Sequence, residues 1–162
     1  MLGVEKPKLT PQTRDEGIDF YGRLSLETLL RGDRVFPGME RQFAVWLIGQ
    51  AKHFQAEPVS TLNIRELVGA ITLARTRAYS TKPETRYADL KLRACDPVFA
   101  IFITTAEFSN DALALMEKAG IIGMDGEMVA AFLSERSIGI ENDAFSQNLF
   151  MDWISIEREV AD

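Results

Sequence analysis

From Val98 to Ile103 the chain reads Val-Phe-Ala-Ile-Phe-Ile without a polar residue, and no other stretch restricts the fold as much. A strand with one wet face alternates apolar and polar side chains. An unbroken run of β-branched and aromatic residues, closed by Thr104 and Thr105, is typical of a strand covered on both faces. The run is therefore the expected centre of a sheet with helical layers against it. The residues beyond it fit that expectation. Ser109 can cap a helix through Ala119 that Gly120 ends, Ile121 to Met124 is a short strand, and Asp125 can cap a helix from Glu127 to Ser134. Strand and helix in alternation favour parallel strands with right-handed crossovers.

The first half has a different rhythm. Ile18, Phe20, Gly22, Leu24 and Leu26 alternate with Asp19, Tyr21, Arg23 and Ser25, the pattern of a half-buried strand. Leu30 to Gln42, with Gly32, Asp33, Pro37 and Gly38, has the composition of a turn or hairpin connection. Phe43 to Lys52 is a second strand that places Trp46, Ile48, Gln50 and Lys52 on one face, so an apolar row ends in two polar groups pointing the same way. Consecutive strands pair antiparallel, and the prediction is an α/β fold: a central mixed sheet of four to five strands flanked by helices in three layers. After Pro58, with Ser60 or Thr61 as cap, Leu62, Ile64, Leu67, Val68, Ile71 and Ala74 recur at helical spacing. The polar stretch from Thr81 to Arg93 has room for a short helix. Ala144 to Val160, with Phe145, Leu149, Trp153 and Ile156, reads as a terminal helix packing back on the domain, and Trp46 and Trp153 are assigned to the core. Residues 1–14, with Pro7 and Pro11, form an extended lead-in, and residues 15–162 a single domain.

The 162 residues, 46% of them hydrophobic, suffice for one domain with a real core and leave no room for a second. A single cysteine, Cys95, and a single histidine, His53, exclude an internal disulfide and a Cys/His zinc site, so any metal must be held mainly by oxygens. No apolar run approaches the roughly 20 residues of a membrane span, and the first residues lack a signal peptide's apolar stretch, which implies no membrane association and a cytoplasmic location. The net charge of −6 and pI of about 4.9 count against a simple nucleic-acid binder. The charge is uneven, however: Arg75, Arg77, Lys82, Arg86, Lys91 and Arg93 cluster against Glu84, Asp89 and Asp96, and the acidic part lies beyond Glu135.

Three features bear on chemistry: the acidic turn Asp15-Glu16-Gly17-Ile18-Asp19 entering a strand, the strand end Gln50-Ala51-Lys52, and the threonine pair Thr104 and Thr105. Asp15 and Glu16 taken alone read as turn residues. An Asp inside an otherwise apolar strand is disfavoured without a purpose, and neither Gln50 nor Lys52 suits the core row begun by Trp46 and Ile48. Phosphodiester hydrolysis requires a metal to polarise a phosphoryl oxygen, a water of lowered pKa, and neutralisation of charge developing at phosphorus. Mg²⁺ is commonly held by one or two carboxylates plus waters and phosphate oxygens. Asp19 can supply a carboxylate, Gln50 an amide oxygen, the Ala51 carbonyl a further ligand, and Lys52 an ammonium facing the same phosphate. His53 points to the opposite face and reads as structural. Thr104 and Thr105 end the buried strand and satisfy backbone groups, with a phosphate contact as the alternative. Arg65, Arg75, Arg77 and Lys82 are candidate DNA-backbone contacts.

An Asp-bearing strand, a second strand ending in Gln-x-Lys and a following helix resemble the PD-(D/E)xK nuclease superfamily, and more closely its Mrr-like restriction endonuclease branch. Glu16-Gly17-Ile18-Asp19 is similar to that branch's Gly-Ile-Asp segment, Gln50-Ala51-Lys52 to its Gln-x-Lys, and Ile64 to Ala70 to the start of the next helix. Ile101-Phe102-Ile103-Thr104-Thr105-Ala106-Glu107-Phe108-Ser109, then Ala112 and Met124-Asp125-Gly126-Glu127, is similar to its strand, threonine pair, helix and final Asp-Gly turn. The resemblance runs from about Arg14 to Leu133. It implies a restriction-endonuclease-like fold and a Mg²⁺-dependent endodeoxyribonuclease, with Mn²⁺ as a substitute, serving restriction or anti-phage defence. It also implies catalysis by Asp19, Gln50 and Lys52, and dimers or larger assemblies on DNA. The branch's usual first helix is not found here: either the chain is cut from a longer protein, with Leu2-Gly3 a remnant of that helix's end, or this version dispenses with it. Together with the acidity, this suggests a separate recognition or sensor domain or subunit. The reading from another class is a catalytically silent module that keeps the fold to bind nucleic acid or a partner.

Overall fold

The computed structural model describes residues 4–10, 17–25, 42–55, 57–78, 87 and 89–161. Asp15, Glu16, Lys82, Glu84 and Arg86, most of the predicted Leu30 to Gln42 connection and most of the stretch from Thr81 to Arg93 lie outside them. The elements run β1 (Val4–Leu9), β2 (Phe20–Leu24), β3 (Val45–Lys52), α1 (Thr61–Thr76), β4 (Val98–Thr104), α2 (Asn110–Ala119), β5 (Ile121–Met124), α3 (Gly126–Glu135), β6 (Ile140–Glu141), β7 (Ala144–Phe145) and α4 (Gln147–Ala161). Five strands form one sheet in the order β1-β2-β3-β4-β5. β1 to β3 pair antiparallel, and β3 to β5 pair parallel. This is the mixed sheet that the two rhythms of the sequence predict.

Each face of the sheet has its own cover. On one, Tyr21, Trp46 and Ile48 pack with Ala74, Tyr87, Leu90 and Leu92. The same face continues through Ala100 and Phe102 against Ile64 and Leu67 of α1 and Ala112 and Met116 of α2. On the other, Leu24, Val45, Leu47 and Ile101 pack with Val4, Phe43, Ile103 and Met124, while α3 contacts β4 and β5 and α4 contacts β1. β3 is thus buried on both faces from Val45 to Gln50, and on β2 Tyr21, expected on a wet face, is buried and lies with its ring 6.2 Å from that of Tyr87. β4 is an interior strand but not the centre expected for it, a place that β3 takes in the five-strand order, and Phe99 at its start is 45% exposed.

The caps follow the sequence. Ser109 accepts from the Ala112 amide, Asp125 accepts from the Met128 amide, and Gly120 takes the left-handed conformation after α2. At α1 the Asn63 side chain accepts from the Ser60 amide, which satisfies a donor the helix cannot. The lead-in differs from expectation, since Val4–Leu9 is an edge strand, with a bulge between Glu5 and Lys8. Pro7 is tolerated there because an edge strand has one row of amides without a ladder partner. At the other end, Ala144 and Phe145 pair with Ile140 and Glu141 in a short ribbon, so α4 begins at Gln147. Trp153 is half-buried in a satellite stack with Phe150, outside the main core expected for it.

The loop before β4 is held by a polar knot. Asp96, 4% exposed, accepts from the Trp46 indole, the Arg93 amide and the Arg93 guanidinium. Arg75 of α1 donates to the carbonyls of Arg93, Ala94 and Asp96. Burial by itself raises the Asp96 pKa, but the hydrogen bonds from Arg93 and Trp46 and the Arg93 charge outweigh it and leave the carboxyl below its ordinary value. A lowered folded pKa contributes stability that is full above the unfolded value of about 4 and disappears as pH falls through the folded one. Replacing Asp96 by Asn is expected to cost about 2 kcal/mol at neutral pH. Acid titrations of unfolding free energy should then show a shallower loss below about pH 4 in Asp96→Asn than in the unmodified chain.

Candidate active site

Asp19 sits just before β2, where three contacts fix it. Thr10 at the end of β1 donates through its amide to the Asp19 carbonyl, 2.8 Å away. The Asp19 amide donates to the Gly49 carbonyl at 2.9 Å, and the Asp19 carboxylate accepts from the Ala51 amide at 2.8 Å. The approach to Asp19 requires a glycine: Gly17 has φ +71°, and a Cβ there would stand 3.0 Å from the Ala70 Cβ of α1. The last registered pair of β2 with β3 is Phe20 with Gly49, so Asp19, one residue before β2, adjoins the end of β3 that carries Gln50. Gln50 belongs to the face that carries Ile48.

Gln50 is 3% exposed, and its Oε1 has no hydrogen-bond partner among the described residues. A buried amide oxygen left without a donor costs about 1 to 3 kcal/mol, so the position is unfavourable for folding alone. Lys52, two residues on and half-buried, pairs with the Glu66 carboxylate of α1. Glu66 also approaches Gly17, its Cγ lying 3.6 Å from where a Gly17 Cβ would be. Sequence reasoning missed Glu66, although it stands in the Ile64 to Ala70 stretch. A glutamate on the flank of an amphipathic helix reads as a solvated side chain, and only the packing of α1 over β3 brings it to Lys52.

The remaining predicted positions separate. Thr104 is buried and registers with Lys52, but its hydroxyl accepts from the Ala106 amide. The Thr105 hydroxyl bonds the Phe54 amide and carbonyl and lies 2.8 Å from His53 Nδ1. Thr105 therefore fastens the chain leaving β3 to the chain leaving β4, while the Thr104 hydroxyl bonds within its own turn. Arg75 donates to the carbonyls of Arg93, Ala94 and Asp96 in the loop before β4. Arg65 and Arg77 are exposed and make no ion pair among the described residues. Lys82 lies outside the described residues.

The donor set suits a hard cation. Asp19 offers a carboxylate with one oxygen committed to Ala51, Gln50 offers an unpaired buried oxygen, and the Glu66 carboxylate is held nearby by Lys52. Among the described residues no three His, Cys, Asp or Glu side chains gather as a metal cluster. No helix among the described residues is long and apolar enough to cross a membrane.

No protein-family model matches the chain, and no curated protein matches it. Among solved structures it is similar to the MspJI restriction endonuclease in complex with a 27-mer oligonucleotide, at 20% sequence identity and a TM-score of 0.48. The match covers 81% of this chain and 22% of that one, so the chain spans about a fifth of that protein's length.

Proposed function

We propose that this chain is a metal-dependent endonuclease of the restriction-endonuclease-like, Mrr-like class that hydrolyses DNA phosphodiesters, serving as the effector domain of a restriction or anti-phage defence system. The observation that carries the reading is the buried Gln50 oxygen without a partner among the described residues, two positions before Lys52 on β3, with the Asp19 carboxylate hydrogen-bonded to the Ala51 amide between them. The motif resemblance supports it from the sequence side. Asp19 and Gln50 would hold Mg²⁺, or Mn²⁺ in its place, with the Ala51 carbonyl as a further oxygen donor. Such a cation, when bound, polarises a phosphoryl oxygen and lowers the pKa of a coordinated water.

The protein's own groups do the rest. The Ala51 amide holds one carboxylate oxygen of Asp19 and so fixes the direction of the other. Lys52 lies two residues beyond Gln50 on the same face of β3, where its ammonium can neutralise charge that develops on the phosphoryl oxygens. Glu66 holds that ammonium in place before DNA arrives and acts through Lys52 as a positioning residue. Arg65 and Arg77, exposed at the two ends of α1, are the proposed backbone contacts, with Lys82 as a third. The acidic charge of the whole chain argues that target choice resides in another domain or subunit, and that two copies act together to cut both strands.

Incubation with supercoiled plasmid and Mg²⁺ or Mn²⁺ tests this directly. Nicking or linearisation that EDTA abolishes is expected, and Lys52→Ala should lower its rate by about a hundredfold or more. Glu66→Gln should lower it by a smaller factor. Absence of cleavage together with absence of Mg²⁺ binding by calorimetry would overturn the reading in favour of a silent binding module. Cleavage that persists in Lys52→Ala would refute the assigned site.

A further inference from the structure

At the opposite end of β3 from Lys52, a cavity of about 700 Å³ opens over the face of β1 and β2, outside the cover of α1. Trp46 marks it, six residues from Lys52 along the strand, which is about 20 Å. In a chain with net charge −6 its lining is unusual: Lys6, Lys8, Arg23, Lys91 and Arg93 face it, opposed by the carboxylates of Asp89 and Asp96. Asp96 is already neutralised by Arg93 and the Trp46 indole. Arg23 donates to the Phe43 carbonyl. Lys6, Lys8 and Lys91 make no ion pair among the described residues. Lys6 has φ +47°, inside the bulge of β1, and a bulge is the means by which an edge strand re-aims its side chains. Charges of one sign gathered on three segments remote in sequence repel one another, and an anion relieves that repulsion.

We propose that this cavity binds a small ligand carrying two or more phosphate groups. Its volume falls in the range of small-ligand pockets, about 300 to 1,000 Å³. Tyr21 and Trp46 line it but are only 5% and 7% exposed, so neither offers a ring face on which the bases of a single strand could stack. Recognition therefore rests on lysine and arginine charge, which suits a polyphosphate. The site is separate from the nuclease reading and does not depend on it.

Sodium tripolyphosphate is the probe, titrated into the metal-free full chain against sodium chloride of matched ionic strength, with melting temperature and calorimetry as readouts. The expected result is a rise of a few degrees beyond the salt control and a single binding isotherm. The double variant Lys8→Ala/Lys91→Ala changes only exposed side chains; its circular dichroism should match the unmodified chain while its affinity falls at least about tenfold. Lys52→Ala should bind as the unmodified chain does. No shift beyond salt, or a loss in Lys52→Ala with none in the double variant, would overturn the proposal. So would a double variant that loses duplex DNA binding while tripolyphosphate fails to bind the unmodified chain, because the cavity would then serve nucleic acid.

Discussion

Trp46 and Ile48 pack into one layer while Val45 and Leu47 pack into the other, and from Trp46 to Lys52 every residue of β3 has a registered partner on β4. This two-sided burial fixes the register of the strand, because a slip of one residue would exchange its two faces and drive Gln50 and Lys52 into the second core. With the register fixed, the row that begins at Trp46 must end with Gln50 and Lys52 on the face that α1 covers. The candidate site is the place where that row passes from the core toward solvent.

The two ends of β3 are held by different physics. At the Trp46 end, the polar groups of the strand and of the loop before β4 answer one another: Asp96 accepts from Trp46 and Arg93, and Arg75 closes the loop carbonyls. At the Lys52 end they do not, since Gln50 keeps a buried oxygen without a donor. Proteins leave buried polar atoms unsatisfied rarely, and then usually where the atom has other work. The contrast within one strand directs attention to Gln50 more firmly than its place in a motif does.

Much of the fold is legible in the sequence. The apolar run of β4, the alternation of β3, the caps Ser109, Gly120 and Asp125, and the helical spacing of α1 are local signals, and each element forms where its residues direct it. The features that sequence reasoning misses depend on partners distant in the chain. β1 carries Pro7 and no alternation, and exists as a strand because β2 offers it an edge. Arg75 has the character of a phosphate contact, but the loop before β4 occupies its guanidinium. Glu66 reads as solvated, since no local pattern pairs it with a lysine fourteen residues earlier. Tyr21 stands on the polar side of an alternating strand, and only the packing of Tyr87, Leu90 and Leu92 makes that side a core.

On the proposed function, Gln50 is kept at a cost to folding in order to hold a cation. Gln50→Leu removes the unpaired oxygen and leaves a side chain of similar size beside Phe102, its registered partner on β4. The measurement that bears most directly on the claim compares melting temperature and Mn²⁺ affinity in the two proteins. The account predicts that metal-free Gln50→Leu melts at or above the unmodified chain, because a buried polar group without a partner has been replaced by an apolar one, while its Mn²⁺ affinity falls by about tenfold or more. A variant that melts well below the unmodified chain yet binds Mn²⁺ with undiminished affinity would contradict it, since Gln50 would then be a structural residue and the cation, if any, held elsewhere.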